Sequence, residues 1–419
     1  MWKQGTFFAP LYSLCLRLRT SKKFSCFPTM LCYFCPVLQS KPVATKARFP
    51  GSSMISVSSH IASLRAYQPG KSVAEVEQEL GITGAVKLAS NENPLGSSPL
   101  ALQAAAESLQ HLTHYPDAGL RLRQALAERF VIRPENVICG SGGESIISNA
   151  LHTFLDGEDE MISSEGTFVG FLVLAHASGK KTHYVPQRNN GYDLDGILRK
   201  INDHTKIIYI ANPNNPTGTA VTTNALERFM EKVPEHVLVI LDEAYFEYAD
   251  GWPDYPDSMH YRWDNVLTVR TFSKAYGLAG IRIGYGMAHS DIIGKMMKVK
   301  LPFEPNTPAE EAGLAALKDE EFLRQTVELN RESVLYYHRE FERMGLDFVP
   351  TLANFVMITF RDHDRMMRIF NGLMQRGIIT RPLTAFGLPN CLRISTGTME
   401  QNARCVAALE EVLNEELVH

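Results

Sequence analysis

The stretch TFSKAYGLAGIRIGY, residues 271–285, brings a serine, a lysine and an arginine shortly after an apolar, β-branched run. A lysine at the end of a buried strand loses solvent, which lowers the pKa of its ammonium group and makes it an amine nucleophile. Arg282 offers a planar fork to a phosphate, and Ser273 offers a hydroxyl group. A single lysine can equally be a solvated loop charge, so the prediction of a reactive Lys274 depends on its neighbours.

Three other polar groupings also follow apolar runs. Asp242 comes after five apolar residues, where a desolvated carboxylate either needs a cation or strong donor, or caps a helix. GSGGE, residues 140–144, precedes a helical pattern and offers backbone N–H groups to an anion. Ser141 and Glu144 also match a capping box, which accounts for both side chains without a ligand. NPNNPTG, residues 212–218, gathers three asparagines and a threonine in a turn.

Together these residues match a single ligand. They provide Gly143, Ser273 and Arg282 for an anion, Asp242 for an aromatic cation, and Lys274 for an aldehyde. Pyridoxal 5'-phosphate carries all three groups, because its chemistry requires a lysine Schiff base and an acid that keeps the pyridine nitrogen protonated. We therefore predict that it is the cofactor. The side chains expected around its ring are Phe168, Asn215 and Tyr245.

The elements that must position these residues alternate along the chain from about residue 86. Continuous apolar runs separated by helical patterns are typical of a mostly parallel sheet covered by helices. Ligands of such open α/β sheets bind at the carboxyl ends of the strands. We therefore predict an α/β fold in which the polar groupings meet at one sheet edge. The predicted strands are 136–139, 206–210, 237–241 and 266–269, and the helices between them include 101–110, 145–155 and 223–232.

The last hundred residues predict a separate, smaller α/β domain. A long helix over Glu320–Met344 ends before Gly345, which suits its C-terminal cap. It is followed by predicted strands at 355–358 and 392–395 and by a closing helix over residues 399–413. We divide the chain into a leader, an N-terminal arm, a large cofactor-binding domain and a small C-terminal domain. Their bounds are 1–53, 54–85, 86–315 and 316–419.

The composition is that of an ordinary soluble globular protein, with 45% hydrophobic and 21% charged residues in 419. The formal net charge of -4 gives no reason to expect a nucleic-acid partner. Beyond the leader the cysteines are Cys139, Cys391 and Cys405, which favours a reducing compartment without structural disulfides. No metal site is predicted.

The leader carries eight Lys or Arg and no Asp or Glu. Either it is an organelle transit peptide, or the true start is Met54 and the residues before it are upstream read-through. Its longest uncharged run, 24–40, is shorter than the ~20 apolar residues of a membrane span. We expect a cytoplasmic protein without a membrane partner, or organelle import if the leader is a transit peptide.

Over about residues 60–415 the sequence resembles the fold type I, pyridoxal-phosphate-dependent aminotransferases, and within them the histidinol-phosphate aminotransferases. The resemblance implies a large domain with a mostly parallel seven-stranded sheet flanked by helices, plus a smaller C-terminal α/β domain. The motifs that carry it are SNENPLG (90–96), YPD (115–117), GSGGES (140–145), NPNNPTG (212–218), DEAY (242–245), TFSKAYGLAGIRIGY (271–285) and LRISTGT (392–398).

The resemblance also implies roles for single residues. Lys274 is similar to the lysine that forms the Schiff base and moves the proton, and Asp242 to the partner of the pyridinium nitrogen. Tyr115 matches a tyrosine that reaches the cofactor phosphate of the neighbouring subunit, which implies a homodimer with shared active sites. The other implied cofactor-binding residues are Gly143, Glu144, Phe168, Asn215, Tyr245, Ser273 and Arg282. The implied substrate-binding residues are Arg393, with Arg381 and Tyr67 as helpers.

The implied reaction interconverts L-histidinol phosphate and 2-oxoglutarate with imidazole-acetol phosphate and L-glutamate, in histidine biosynthesis. Several positions depart from the family pattern. Glu144-Ser145 stands where many relatives have an Asp-Glu pair, Glu165-Gly166 where a proline is common, Phe171 where tyrosine is frequent, and Glu304 where asparagine is frequent. Three alternatives remain at this point. They are an aromatic amino-acid aminotransferase of the same fold, a decarboxylase of phosphate esters, and a cofactor-binding regulator without catalysis.

Overall fold

The structure, a computed structural model, describes residues 55–64, 66 and 70–416. The predictions for the leader and for Tyr67 lie outside these residues. None of the helices in the described part of the chain combines the length and the apolar character that a membrane span needs.

Helices and strands alternate along most of the described chain. The strands are β1 (Val86–Lys87), β2 (Val137–Gly140), β3 (Glu160–Ser164), β4 (Lys181–Val185), β5 (Thr205–Ala211), β6 (Leu238–Asp242), β7 (Val266–Thr271), β8 (Gly284–Met287), β9 (Asp347–Val349), β10 (Phe355–Thr359), β11 (Ile378–Ile379), β12 (Arg381–Pro382) and β13 (Cys391–Ser395). The α-helices are α1 (Ser59–Ala62), α2 (Val73–Leu80), α3 (Pro99–Ser108), α4 (Leu120–Phe130), α5 (Gly143–Phe154), α6 (Val169–Ala177), α7 (Leu194–Leu198), α8 (Thr223–Met230), α9 (Phe246–Ala249), α10 (Ser258–Tyr261), α11 (Ser290–Met296), α12 (Thr307–Ala316), α13 (Glu320–Arg343), α14 (His363–Gln375) and α15 (Met399–Glu416).

The larger sheet has, within the described residues, seven strands in the order β2-β8-β7-β6-β5-β3-β4. Strand β8 is antiparallel to both of its neighbours, and the other pairs are parallel. Every residue of β6 and β7 is buried, as expected for strands covered by helices on both faces. The predicted mostly parallel sheet is therefore confirmed.

The register of this sheet sets three loops side by side. Ala211, at the end of β5, pairs with Asp242, and Asp242 in turn pairs with Val269 of β7. The loops that follow β5, β6 and β7 therefore emerge at one edge, as predicted. They carry the asparagine-rich turn, the DEAY sequence and the turn with Lys274.

The smaller sheet has the order β12-β13-β10-β9 in the described chain, with all pairs antiparallel. It packs with α13, α14 and α15 around a core that includes Tyr337, Phe341 and Leu409. The long helix predicted from Glu320 ends at Arg343, and Gly345 has a φ of 66°, so its glycine cap is confirmed.

The first strand belongs with the C-terminal elements. Val86 and Lys87 of β1 pair in parallel with Ile378 and Ile379 of β11. Both sheets lie in one compact unit that begins at Val57. The division of the chain at residue 315 stays a prediction.

Candidate active site

Lys274 lies in a tight turn that directly follows β7. The turn is closed by hydrogen bonds from the backbone N–H of Gly277 to the carbonyl of Lys274 (3.0 Å) and from that of Leu278 to the carbonyl of Phe272 (2.9 Å). Gly277 has a φ of 69°, and a Cβ there would lie 1.9 Å from the carbonyl oxygen of Gly96. Only glycine fits at this point, because two stretches of backbone touch.

The turn opens into a cleft at the carboxyl edge of the larger sheet. Nine of the residues predicted from the sequence line this cleft together, so the structure brings most of the predicted site to one place. These nine are Gly143, Glu144, Phe168, Asn215, Asp242, Tyr245, Ser273, Lys274 and Arg282.

The side-chain amine of Lys274 makes only a weak hydrogen bond. Its Nζ donates a long hydrogen bond of 3.4 Å to the carbonyl of Ser90. Burial, with a smaller contribution from the nearby Arg393, lowers the pKa of Lys274 to about 8. Near neutral pH a fraction of this amine is therefore unprotonated and able to attack a carbonyl carbon.

Asp242 is a buried carboxylate at the end of β6. Tyr209 donates a hydrogen bond from its hydroxyl to Oδ2 (2.6 Å), and the N–H of Ala244 donates to Oδ1 (3.2 Å). Burial raises the pKa of Asp242 to about 6 although both donors oppose the rise. The next helix begins at Phe246 with Tyr245 as its N-cap, so the alternative of a capping aspartate is wrong. A buried acid of this kind is stabilised by a cation in the cleft.

Sequence reasoning did not identify Tyr209, the residue whose hydroxyl group donates a hydrogen bond to Asp242. Its ring stacks on Phe171 with centroids 3.9 Å apart and planes 4° apart. The signal was present in the run KIIYI of β5, because a buried tyrosine needs a partner for its hydroxyl group.

Glu243, the second acid of DEAY, is not among the residues that line the cleft. It accepts hydrogen bonds from Nε (2.9 Å) and Nη2 (2.7 Å) of Arg270. Arg270 also bonds Asp257 at 2.6 Å, and its guanidinium lies 3.3 Å from the centroid of the Phe246 ring. This buried ion pair links the end of β6 to β7 next to the cleft.

The start of α5 at Gly143 lines the cleft and forms a cradle for an anion. The preceding Gly142 has a φ of 93°, and a Cβ there would lie 2.6 Å from Nη2 of Arg282. The missing side chain lets the guanidinium approach the free N–H groups of the helix. Ser273, which also lines the cleft, adds a hydroxyl group.

The predicted capping box of Ser141 and Glu144 is wrong. The N-cap of α5 is Gly142, one residue later than the box requires, and no side chain caps the helix. Ser141 instead donates a hydrogen bond of 2.9 Å to Oε1 of Glu304. Glu304, one of the positions that depart from the family pattern, therefore holds the glycine-rich turn in place.

Phe168 lies at the start of α6 and lines the cleft. A Cβ on Gly170 would lie 2.5 Å from its ring, so this glycine provides the room for the aromatic side chain. Thr167 donates to Oδ1 of Asn214 (3.2 Å), and Asn214 donates to the carbonyl of Gly166 (3.0 Å). These bonds fasten the turn with Phe168 to the asparagine-rich turn.

Arg393 reaches the cleft through Asn215. Its Nη1 donates to Oδ1 of Asn215 and its Nη2 to the carbonyl of Ala89 (2.8 Å). The buried guanidinium lies near two aromatic rings, 5.1 Å from the centroid of Phe355 and 5.8 Å from that of Phe386. With its oxygen turned to Arg393, the amide of Asn215 keeps its nitrogen as a donor for a ligand.

Two other predicted residues are not among those that line the cleft. Arg381 is half-buried in β12 and pairs across the smaller sheet with Arg393. Tyr115 is 81% exposed and stacks on Phe303 with ring centroids 4.3 Å apart. The fold of a single chain does not bring Tyr115 to the cleft.

The residues of the cleft fit pyridoxal phosphate. Lys274 supplies an amine, and Asp242 supplies a buried acid that a cation would stabilise. The start of α5 and Arg282 form a cradle, which a Cβ added to Gly142 would fill. The chemistry of this donor set is that of an aldehyde, a pyridinium and a phosphate. In the part of the chain that the structure describes, no three His, Cys, Asp or Glu side chains are grouped to hold a metal ion.

The sequence matches the family model described as aminotransferase class I and II over residues 83–409. It is 41% identical to histidinol-phosphate aminotransferase 1 of Nitrosococcus oceani over 358 residues, which cover 85% of this chain and 96% of that protein. It is also 41% identical to the histidinol-phosphate aminotransferase of Akkermansia muciniphila, with 84% of this chain and 98% of that protein covered.

Among solved structures, the chain is similar to histidinol-phosphate aminotransferase from Sinorhizobium meliloti in complex with pyridoxal-5'-phosphate. The TM-score is 0.78 at 28% identity, with 87% of this chain and 99% of that chain covered. Aspartate aminotransferase of Thermus thermophilus shares the fold, with a TM-score of 0.74. The match along most of the sequence and the shared fold show that this chain belongs to the class I and II aminotransferases.

Proposed function

We propose that the chain is a pyridoxal-phosphate-dependent histidinol-phosphate aminotransferase of histidine biosynthesis. In the proposed reaction, L-histidinol phosphate and 2-oxoglutarate interconvert with imidazole-acetol phosphate and L-glutamate. The observation that carries the proposal is the 41% identity with histidinol-phosphate aminotransferases, which extends over almost the full length of those proteins.

Pyridoxal phosphate, when bound, supplies an aldehyde for the substrate amine and a ring that withdraws electrons. Nζ of Lys274 would hold the aldehyde until the substrate amine takes its place. The freed amine would then take the proton from the amine-bearing carbon, because its lowered pKa leaves part of it unprotonated. Asp242 keeps the proton on the ring nitrogen, which compensates the cost of its own buried charge.

The remaining residues of the cleft position these groups. The N–H groups of Gly143 and Glu144, the hydroxyl of Ser273 and the fork of Arg282 bind the phosphate. Asn215 and Tyr245 donate to the ring oxygen, and Phe168 stacks on the ring face. Each of these assignments is part of the proposal.

Arg393 binds the anionic end of each substrate in turn. A planar guanidinium can pair with a phosphate or with a carboxylate, so one residue serves both halves of the reaction. Its burial near Phe355 and Phe386 strengthens either pairing. Arg381, across the smaller sheet, and Tyr67 assist it.

We also propose that the protein works as a homodimer in the cytoplasm. Tyr115 then completes the phosphate site of the neighbouring subunit. Its exposed ring, the exposed Phe303 beneath it and the exposed side chains of Leu112 and Leu120 form a surface that suits a second copy.

Rapid mixing of the purified holoenzyme with single amino donors tests the substrate. Histidinol phosphate is expected to change the visible absorbance of the cofactor much faster than phenylalanine, tyrosine or threonine phosphate, and 2-oxoglutarate is expected to reverse the change. A faster response to phenylalanine would favour an aromatic aminotransferase, and a response to no donor would favour a regulator.

The same assay tests Lys274. Lys274→Ala is expected to slow the absorbance change by at least ~10³-fold, because both the attachment point and the proton carrier are lost. Lys298→Ala, at an exposed position outside the cleft, is the matched control and is expected to behave like the wild type. A Lys274→Ala enzyme that turns over normally would exclude the proposed mechanism.

A further inference from the structure

Asn91 is a buried residue to which none of the roles described above has been assigned. It lies in SNENPLG, is 1% exposed and has a φ of 55°. Asparagine adopts this left-handed conformation more readily than most residues. Its side chain must find hydrogen-bond partners because no solvent reaches it.

The contacts of Asn91 fix the direction of its amide. The hydroxyl of Ser395 donates to Oδ1 (2.7 Å) and also accepts from the backbone N–H of Asn91 (2.9 Å). The amide of Asn354 donates to the carbonyl of Asn91 (3.1 Å). With its oxygen bound to Ser395, the side chain turns its nitrogen to Tyr245 and donates to Oη at 2.8 Å.

The hydrogen bond from Asn91 determines the direction in which the hydroxyl group of Tyr245 donates its own proton. A hydroxyl group that accepts from one side must donate in another direction. Tyr245 lines the cleft, its ring centroid lies 5.7 Å from Nζ of Lys274, and the charged groups that face it are Arg393 and Asp242. Burial raises the pKa of Tyr245 to about 12, so it keeps the proton that it donates.

We propose that Asn91 is a positioning residue that directs the hydroxyl proton of Tyr245 into the cleft, toward the ring oxygen of the cofactor. The inference rests on the proposed function, in which Tyr245 is a donor to that oxygen. A donor aimed at an oxyanion stabilises the anionic form. Asn91 therefore lowers the pH at which the bound cofactor becomes deprotonated.

The test is the pH midpoint of the visible spectrum of the holoenzyme, measured without substrate. Asn91→Asp keeps the acceptor for Ser395 and suits the same backbone conformation, but it turns the donor to Tyr245 into an acceptor. Tyr245 then donates to the new carboxylate, and the midpoint is expected to rise by about one to two pH units. Tyr245→Phe is expected to raise it similarly.

A double variant separates positioning from a simple charge effect. If Asn91 acts through Tyr245, adding Asn91→Asp to Tyr245→Phe leaves the midpoint where Tyr245→Phe alone puts it. A charge acting directly on the cofactor would instead raise the midpoint in both backgrounds. Additive shifts, or a single variant with the wild-type midpoint, would overturn the inference.

Two further variants guard against a loss of structure. Asn354→Ala removes the donor to the backbone carbonyl of Asn91 and leaves both side-chain contacts of Asn91 in place. It is expected to lower thermal stability while the midpoint stays within a few tenths of a pH unit of the wild type, roughly the error of such a measurement. If Asn91→Asp does not fold, Asn91→Gly replaces it, since glycine suits the positive φ, and no rise of its midpoint would overturn the inference. Because no amino donor is present, an incorrect substrate assignment leaves these results unchanged.

Discussion

The chemistry of the cleft comes from loss of solvent at two residues. Burial moves the pKa of Lys274 down to about 8 and that of Asp242 up to about 6, so both groups change protonation close to neutral pH. Both were identified from the sequence, because a lysine and an aspartate at the ends of buried strands are unusual. The shifts depend on the packing around them, which no motif contains.

The raised pKa of Asp242 has a consequence for the cofactor-free protein. The folded state keeps the Asp242 proton up to about pH 6, whereas the unfolded chain releases it near its ordinary value of 3.8. The unfolded state therefore binds fewer protons between these values, and the free energy of unfolding falls as pH rises through this window.

Asp242→Asn does not titrate and is expected to lose this dependence. Relative to the wild type, its free energy of unfolding should rise by up to about 3 kcal/mol between pH 4 and pH 7. Urea unfolding of the cofactor-free proteins at a series of pH values measures the difference. Tyr209→Phe should move the wild-type transition to higher pH, because it removes a donor that opposes the shift. A constant difference between Asp242→Asn and wild type would contradict the assignment.

Among the elements, the turn after β7 depends most on the absence of a side chain. Gly277→Ala would place a methyl group against the backbone of Gly96 and Ser97 in a left-handed conformation. We expect a loss of ~2–4 kcal/mol in the free energy of unfolding and weaker retention of the cofactor. Denaturant unfolding and the cofactor content after gel filtration measure the two effects.

A glycine just beyond this turn supplies the matched control. Gly280→Ala adds the same methyl group where nothing lies within 4 Å, and its effect should stay within about 1 kcal/mol. Equal losses in the two variants would show that the close approach at Gly277 is unimportant.

The strands that sequence predicted are those whose buried residues form continuous apolar runs, such as β6 and β7. Strand β8 was not predicted, because two of the four residues of GYGM are glycines. The structure gives the reason for one of them, since a Cβ on Gly284 would lie 2.5 Å from the backbone nitrogen of Gly143. The start of α5 packs on this strand, and only the fold reveals that requirement.

The supporting residues of the site escaped prediction for a related reason. Asn91 and Tyr245 are 154 positions apart, and Ser141 and Glu304 are 163 apart. Periodicity and motifs describe neighbours along the chain, whereas these hydrogen bonds join segments that only the tertiary fold brings together. The reacting groups were predictable because each follows its own strand.

For the whole molecule, the proposed exchange of Tyr115 between subunits allows a complementation test. Chains with Lys274→Ala and chains with Tyr115→Phe are mixed under conditions that let subunits exchange. In a mixed dimer one site combines the intact lysine of one chain with the intact tyrosine of the other, so activity should rise to about a quarter of the wild-type value after random pairing. Each variant alone is the control.

The mixing experiment would give a different result if Tyr115 contributed to the site of its own chain. If Tyr115 acted within its own chain, no mixed dimer would contain an intact site, and mixing would give only the average of the two variants. A protein that sediments as a monomer at assay concentration would contradict the shared site directly.

The pairing of β1 with β11 bears on how the protein is made. A ribosome releases Val86 and Lys87 almost three hundred residues before their partners Ile378 and Ile379. The hydrogen bonds from Ser395 to Asn91 and from Arg393 to Ala89 likewise require strand β13. The hydrogen bonds that β13 makes to Asn91 and Asn215 can therefore form only after the ribosome has released a strand that lies more than a hundred residues beyond Lys274.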